Sequence, residues 1–186
     1  MSGDVIDRHL RACDGFSFAV GNGTGRWDWP SPCTEWDARG VVEHVIGFHD
    51  VLLLRPLGAK PDRPKDDPMA RWAVTVPAIA SVLLGANDDL KVTVPDGPDM
   101  ELARLVPMLT TDVLTHTWDL AKAVGAPVLA DPDLCVDAYN VARRNIFSLQ
   151  KSERFAPSVS VPEDADPVTK LVALLGRDPA WRAQGG

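Results

Sequence analysis

The chain has 186 residues, 45% hydrophobic and 24% charged, which fits one globular domain with a real core and excludes global disorder. Nineteen basic residues against 26 acidic give a net charge of −7. With no Lys/Arg block anywhere, nucleic-acid and anionic-membrane partners are not expected.

A first helix is expected over about residues 4 to 20, with Val5, Leu10, Cys13, Phe16 and Val20 as its apolar stripe. Its leading residues are too polar for a signal h-region, and the three cysteines, Cys13, Cys33 and Cys135, are odd in number and far apart. Both features point to a reducing cytoplasm. The loop from Gly21 to Cys33 is rich in glycine and carries Trp27 and Trp29. It lacks a preceding strand and a GK[ST] ending, so a phosphate role is weak. Thr34-Glu35-Trp36-Asp37 reads as a capping box with Asp in place of Glu. A second helix then runs to about Leu54, with Val41, Val42, Val45, Phe48 and Leu52 on one face.

Asp67-Pro68, Asp131-Pro132 and Asp166-Pro167 each read as N-cap plus first helical residue, since the Asp oxygen accepts free N–H groups and Pro needs no donor there. They open a third helix to Leu84, a fifth to Leu149 and a short one to Leu175. Gly85, Gly125 and Gly176 are the expected C-terminal stops. The longest uncharged apolar stretch, Trp72 to Ala86, is too short to span a bilayer and contains Pro77. Lys91 to Val94 is a short extended run, followed by a turn at Asp96-Gly97-Pro98. The fourth helix starts at Asp99 or at Met108, depending on Pro107, and ends at Val124. The expected fold is all-α: an antiparallel four-helix bundle with a short extended segment and a C-terminal helical appendage, a single domain over residues 1–186.

Chemistry concentrates on the fourth helix. Asp112 and His116 are one turn apart on one face, and His116 falls on the stripe of Leu109, Val113, Leu120 and Val124. On the second helix His44 has apolar neighbours at i−3, i+1 and i+4 and is taken as the inward histidine. His49 lies roughly 140° around the helix, so both cannot point the same way. Two facing helices carrying His44 and Asp112-x3-His116 would make a two-His, one-carboxylate metal site with open positions, suited to zinc, nickel or ferrous iron. The other reading of the same residues is a core histidine bonded to a neighbouring carboxylate. Asp119 either orients an imidazole or anchors a loop. Cys33 reads as an inert thiol, Trp27, Trp29 and Trp36 as loop packing or a pocket mouth, and Arg177 as a weak anion site.

Three segments in order resemble one family. They are Pro32 to Gly47 with His44, then Asp112-x3-His116-Thr117-Trp118-Asp119-Leu120-Ala121, and Leu171 to Trp181. Together they resemble the metal-binding domain of the mycothiol-dependent maleylpyruvate isomerase family, within the DinB-like superfamily, in a single-domain actinobacterial branch. The resemblance implies a four-helix bundle that holds a divalent metal, usually zinc, through His44, Asp112 and His116. It implies mycothiol or another low-molecular-weight thiol as cosubstrate and a small electrophile as substrate. The isomerase carries Glu where this chain has Asp112, and a second domain for which this chain has no room, so maleylpyruvate isomerisation itself is not expected. The functional expectation is a metal- and thiol-dependent transferase or isomerase. Its rivals are a non-catalytic metal- or ligand-binding protein of stress response and a ferrous oxygenase. A homodimer is compatible with the loop tryptophans.

Overall fold

The computed structural model describes residues 3–87, 90–93, 95, 97–151 and 156–183, the side chains of 147–151 excepted. It is mostly helical. Helix α1 spans Gly3–Gly21, α2 Ala38–His49, α3 Pro68–Leu84, α4 Leu102–Val124, α5 Pro132–Lys151 and α6 Pro167–Leu174. A two-stranded antiparallel hairpin, β1 (Lys91–Thr93) and β2 (Asp99–Glu101), sits between α3 and α4.

Helices α1 and α2 each pack on both α3 and α4, so these four helices close into a ring around one contiguous core. Helices α5 and α6 pack on each other and on α4. Helix α1 buries Ile6, His9, Ala12, Cys13, Phe16, Ala19 and Val20, a stripe of helical period. Phe16 meets Trp72 of α3 edge-on at 4.8 Å, and the Trp72 indole donates to Ser17 Oγ at 2.8 Å. Helix α4 lies deepest, with both Asp119 and its apolar neighbours fully buried. No helix among the described residues is long and apolar enough to cross a membrane.

The three Asp-Pro starts form as expected. Asp67 Oδ1 accepts from the Met69 and Ala70 amides, Asp131 Oδ1 from Asp133 and Leu134, and Asp166 Oδ1 from Thr169. Pro107 does not break α4; it lies within the helix, which starts at Leu102. The extended run pairs with Asp99–Glu101; its last residue, Val94, and Asp96 of the expected turn lie outside the described residues.

Three local expectations are corrected. The cap of α2 is Asp37, whose carboxylate accepts from the Gly40 amide at 2.7 Å, and not Thr34. An antiparallel bridge between Pro30 and Asp37, with Ala38 N–H donating to Trp29 O at 2.9 Å, ties down the chain here and delays the helix. Gly85 closes α3 at φ −85°, an ordinary helical angle rather than a left-handed one. The second helix does not run straight to Leu54. After His49 it widens into a π-helical turn over Asp50–Leu54, with Arg55 N–H reaching Asp50 O at 2.9 Å. That turn buries three consecutive leucines, Leu52, Leu53 and Leu54, which a single face of a regular α-helix would not do, and it leaves Val51 exposed. Arg63 clamps the turn with a bidentate pair to Asp50 and donates to Thr75 Oγ1 of α3 at 2.7 Å.

Candidate metal centre

The fold brings His44, Asp112 and His116 together, with one donor atom from each inside a group 4.8 Å across. The two His116 neighbours on α4 follow from helix geometry, and His44 arrives because α2 packs directly on α4. His44 Nε2 lies 3.2 Å and His116 Nε2 3.5 Å from the same oxygen, Asp112 Oδ1. The two imidazoles meet edge-on at 4.7 Å. Access is graded: the side chain of His44 is 26% exposed, that of Asp112 14% and that of His116 5%.

His116 is held from behind. Its Nδ1 sits 2.9 Å from Asp119 Oδ2, and Asp119 in turn accepts from Arg177 Nη2 at 2.9 Å. With the ring proton on Nδ1, toward that carboxylate, Nε2 presents its lone pair to the site. Asp119 therefore orients the imidazole and also anchors, through Arg177, the segment after α6, so it fills both roles open to it in the sequence. The anion that Arg177 meets within the chain is Asp119, buried with it. Gly176 makes this possible, because its φ of +83° turns the chain past α6 and sends Arg177 inward, where Arg177 N–H bonds Val172 O at 2.9 Å.

Burial alone would raise the Asp112 carboxyl, but His116 and His44 beside it hold it well below the usual carboxylate range. Burial alone would lower His116, but Asp112 and Asp119 raise it to about 9. A carboxylate and an imidazole so placed share a cation, whether a proton or a metal. The other oxygen of that carboxylate, Asp112 Oδ2, is buried without a hydrogen-bond partner. Two imidazole nitrogens and a carboxylate with one oxygen unmet fit a borderline divalent cation.

Aromatic rings wall the accessible side. Trp36 stacks on His44 at 4.2 Å and lies tilted to His116 at 5.5 Å, while Phe48 stacks near-parallel to His44 at 5.6 Å. Gly40 permits the close approach of the tryptophan, because a Cβ there would meet Trp36 Cβ at 2.8 Å. Of the three loop tryptophans only Trp36 touches the cluster. Trp29 carries Arg26 over its ring at 5.2 Å, and Trp27 borders a separate surface hollow with Asp28, Asp37 and Arg39. Cys33 is partly buried, and burial pushes its thiol up while Arg177 pulls it down.

The choice of His44 as the single inward histidine is half of the answer. His49 is fully buried, more deeply than His44, and faces α1 instead. There it meets His9 and Cys13, also fully buried, in a second group of donors. The signal for His9 was present in the sequence: it falls on the stripe of Ile6, Cys13, Phe16 and Val20 at i−3 and i+4 spacings.

No protein-family profile matches the chain. No solved structure matches it. Uncharacterized protein MT0763 of Mycobacterium tuberculosis (strain CDC 1551 / Oshkosh) is 30% identical over 181 residues, covering 94% of this chain and 98% of its own. Uncharacterized protein Rv0738 of Mycobacterium tuberculosis (strain ATCC 25618 / H37Rv) matches to the same extent. The chain belongs to one family with these two mycobacterial proteins.

Proposed function

We propose that the protein is a DinB-like four-helix bundle that binds a divalent metal, zinc foremost, through His44, Asp112 and His116 and uses it in a thiol-dependent transfer or isomerisation. The observation that carries this reading is the pair of imidazole nitrogens converging on Asp112 Oδ1 while Asp112 Oδ2 stays buried and unpartnered. Asp119 and Arg177 support it, because a carboxylate behind a ligating histidine fixes its tautomer and strengthens it as a donor.

A divalent metal bound here supplies Lewis acidity that lowers the pKa of a low-molecular-weight thiol, mycothiol being the candidate. The chain's own residues do the rest. Asp119 holds the proton on His116 Nδ1 and leaves Nε2 as the nitrogen that turns to Asp112 and the site. Trp36 and Phe48 flank the exposed edge of His44 and offer flat apolar walls to a small electrophile. In the reaction the thiol S–H bond breaks and its proton goes to solvent; the sulfur forms a bond to the electrophilic carbon as that carbon's π-bond opens or its leaving group departs with the electron pair, which takes up a proton from solvent.

The test is elemental analysis of untagged protein purified without chelator, beside His44→Ala and His116→Ala. About one zinc per chain, lost in both variants, is the expected result. A metal-dependent rate of conjugation between mycothiol and a generic electrophile is expected next. Full metal content in the His116→Ala protein would overturn the site. Zinc without any thiol-dependent rate would leave a metal-binding protein and overturn the enzymatic part.

A further inference from the structure

The cluster on the other side of α2 joins three donors from two helices: His9 and Cys13, one turn apart on α1, and His49 at the end of α2. All three residues have 0% exposure. His9 Nε2 and His49 Nε2 are 3.1 Å apart, and Cys13 Sγ is 3.7 Å from His9 Nε2.

The outer nitrogens of both rings are already committed. His49 Nδ1 is 2.7 Å from Val45 O, which can only accept, so its proton sits on Nδ1 and Nε2 is a lone pair. His9 Nδ1 is 3.1 Å from Thr110 Oγ1, and that hydroxyl donates to Val106 O at 2.9 Å. With the His9 proton on Nδ1 the hydroxyl oxygen accepts it, and His9 Nε2 is then a lone pair as well. In that tautomer two imidazole lone pairs and a sulfur lie within 4.8 Å of one another in the buried interior. A shared proton there would make a buried imidazolium, which the apolar surroundings of His9 and His49 oppose.

We propose that His9, Cys13 and His49 form a second, buried metal site for a thiophilic cation, and that its occupant is copper(I). Metal–nitrogen bonds of about 2.0 Å and a metal–sulfur bond of about 2.3 Å place such donors about 3.3 to 3.7 Å apart, close to the spacings of the cluster. Thiolate and imidazole donors select copper(I) or zinc. Charge and coordination number separate the two. Copper(I) with the Cys13 thiolate is neutral and accepts three ligands, whereas zinc would bury a net positive charge and ask for a fourth. Binding releases one proton, from the Cys13 thiol, as the sulfur–metal bond forms. Without metal, the Thr110 hydroxyl can turn to His9 Nδ1, and the His9 proton then moves to Nε2 and bridges to His49. The site depends on neither Asp112 nor His116 and stands whether or not the first centre is catalytic.

The test refolds the full chain under nitrogen with copper(I) buffered by the chromogenic chelator bicinchoninate. The background carries His44→Ala and Cys33→Ser, which removes the more accessible donors. One copper(I) per chain is expected, with one sulfur and two nitrogens around it by X-ray absorption. Cys13→Ser should weaken capture by at least about 100-fold, more than the loss of an outer partner costs. Long-range proton–nitrogen correlation spectra of the wild-type chain give a readout that needs no variant. The Nε2 signals of His9 and His49 should shift on copper(I) addition, and both Nδ1 should be protonated in the copper-bound form. Unchanged imidazole signals, capture that survives Cys13→Ser, or one tightly held zinc that copper(I) does not displace would each overturn the proposal.

Discussion

Two histidine clusters share helix α2 and differ in nearly every physical respect. His44, Asp112 and His116 reach the surface through His44, contain a carboxylate, and are backed by a buried Asp119–Arg177 pair. His9, Cys13 and His49 are fully enclosed, contain no carboxylate, and are backed by neutral groups, a hydroxyl and a backbone carbonyl. The consequence is opposite electrostatics. Asp112 and Asp119 raise His116 to about 9, whereas burial lowers His9 and His49. A site that stabilises positive charge suits a divalent ion and exchange with solvent; a site that repels charge suits a neutral complex. The same imidazole group serves both because its neighbours, not its own chemistry, set its charge.

The largest effect expected from breaking this contrast lies behind the first cluster. Asp119→Ala strands the buried Arg177 guanidinium and should cost about 3–5 kcal/mol of stability, read by urea unfolding. Next comes loss of a ligand. His116→Ala should abolish zinc retention, a fall of more than about 100-fold, while leaving any copper(I) in the second cluster untouched. Elemental analysis of one sample for both metals checks this.

Acidity then separates the clusters in metal-free protein. The unfolded chain takes up protons on His9 and His49 as pH falls through about 6.5 and the folded chain does not, so stability drops by up to about 1.4 kcal/mol per pH unit for each. His116 acts in the other window. Its folded pKa is raised, so its contribution is whole below about 6.5 and is lost as pH rises toward 9. Stability of chelated protein should therefore peak near pH 6.5. His49→Gln should flatten the acid limb and His116→Gln the alkaline one, as followed by denaturant midpoints. The smallest effect is a control. Asp67→Ala removes the cap of α3, a helix that carries no ligand, and should lower stability by about 1 kcal/mol without changing either metal content.

Much of this molecule is legible one segment at a time. The Asp-Pro pairs mark three helix starts because an aspartate cap and a proline need only their own next turn. Asp112 and His116 face the same way because 3.6 residues per turn put them there, whatever packs against them. The Asp37 cap and the π-helical turn are less legible. Each answers to distant residues: the bridge to Pro30 in one case, the Arg63 clamp and the burial of Leu52 to Leu54 in the other.

What the sequence by itself determined is therefore local: a helical chain, its main helix limits, and the face that carries Asp112 and His116. Only the tertiary structure decided which groups meet. Arg177 reaches Asp119 across 58 positions, His49 reaches His9 across 40, and Thr110 reaches His9 across 101. No periodicity encodes such separations. They are set when α1 and α2 close on α4 and the burial of the core fixes which polar groups must find partners inside it.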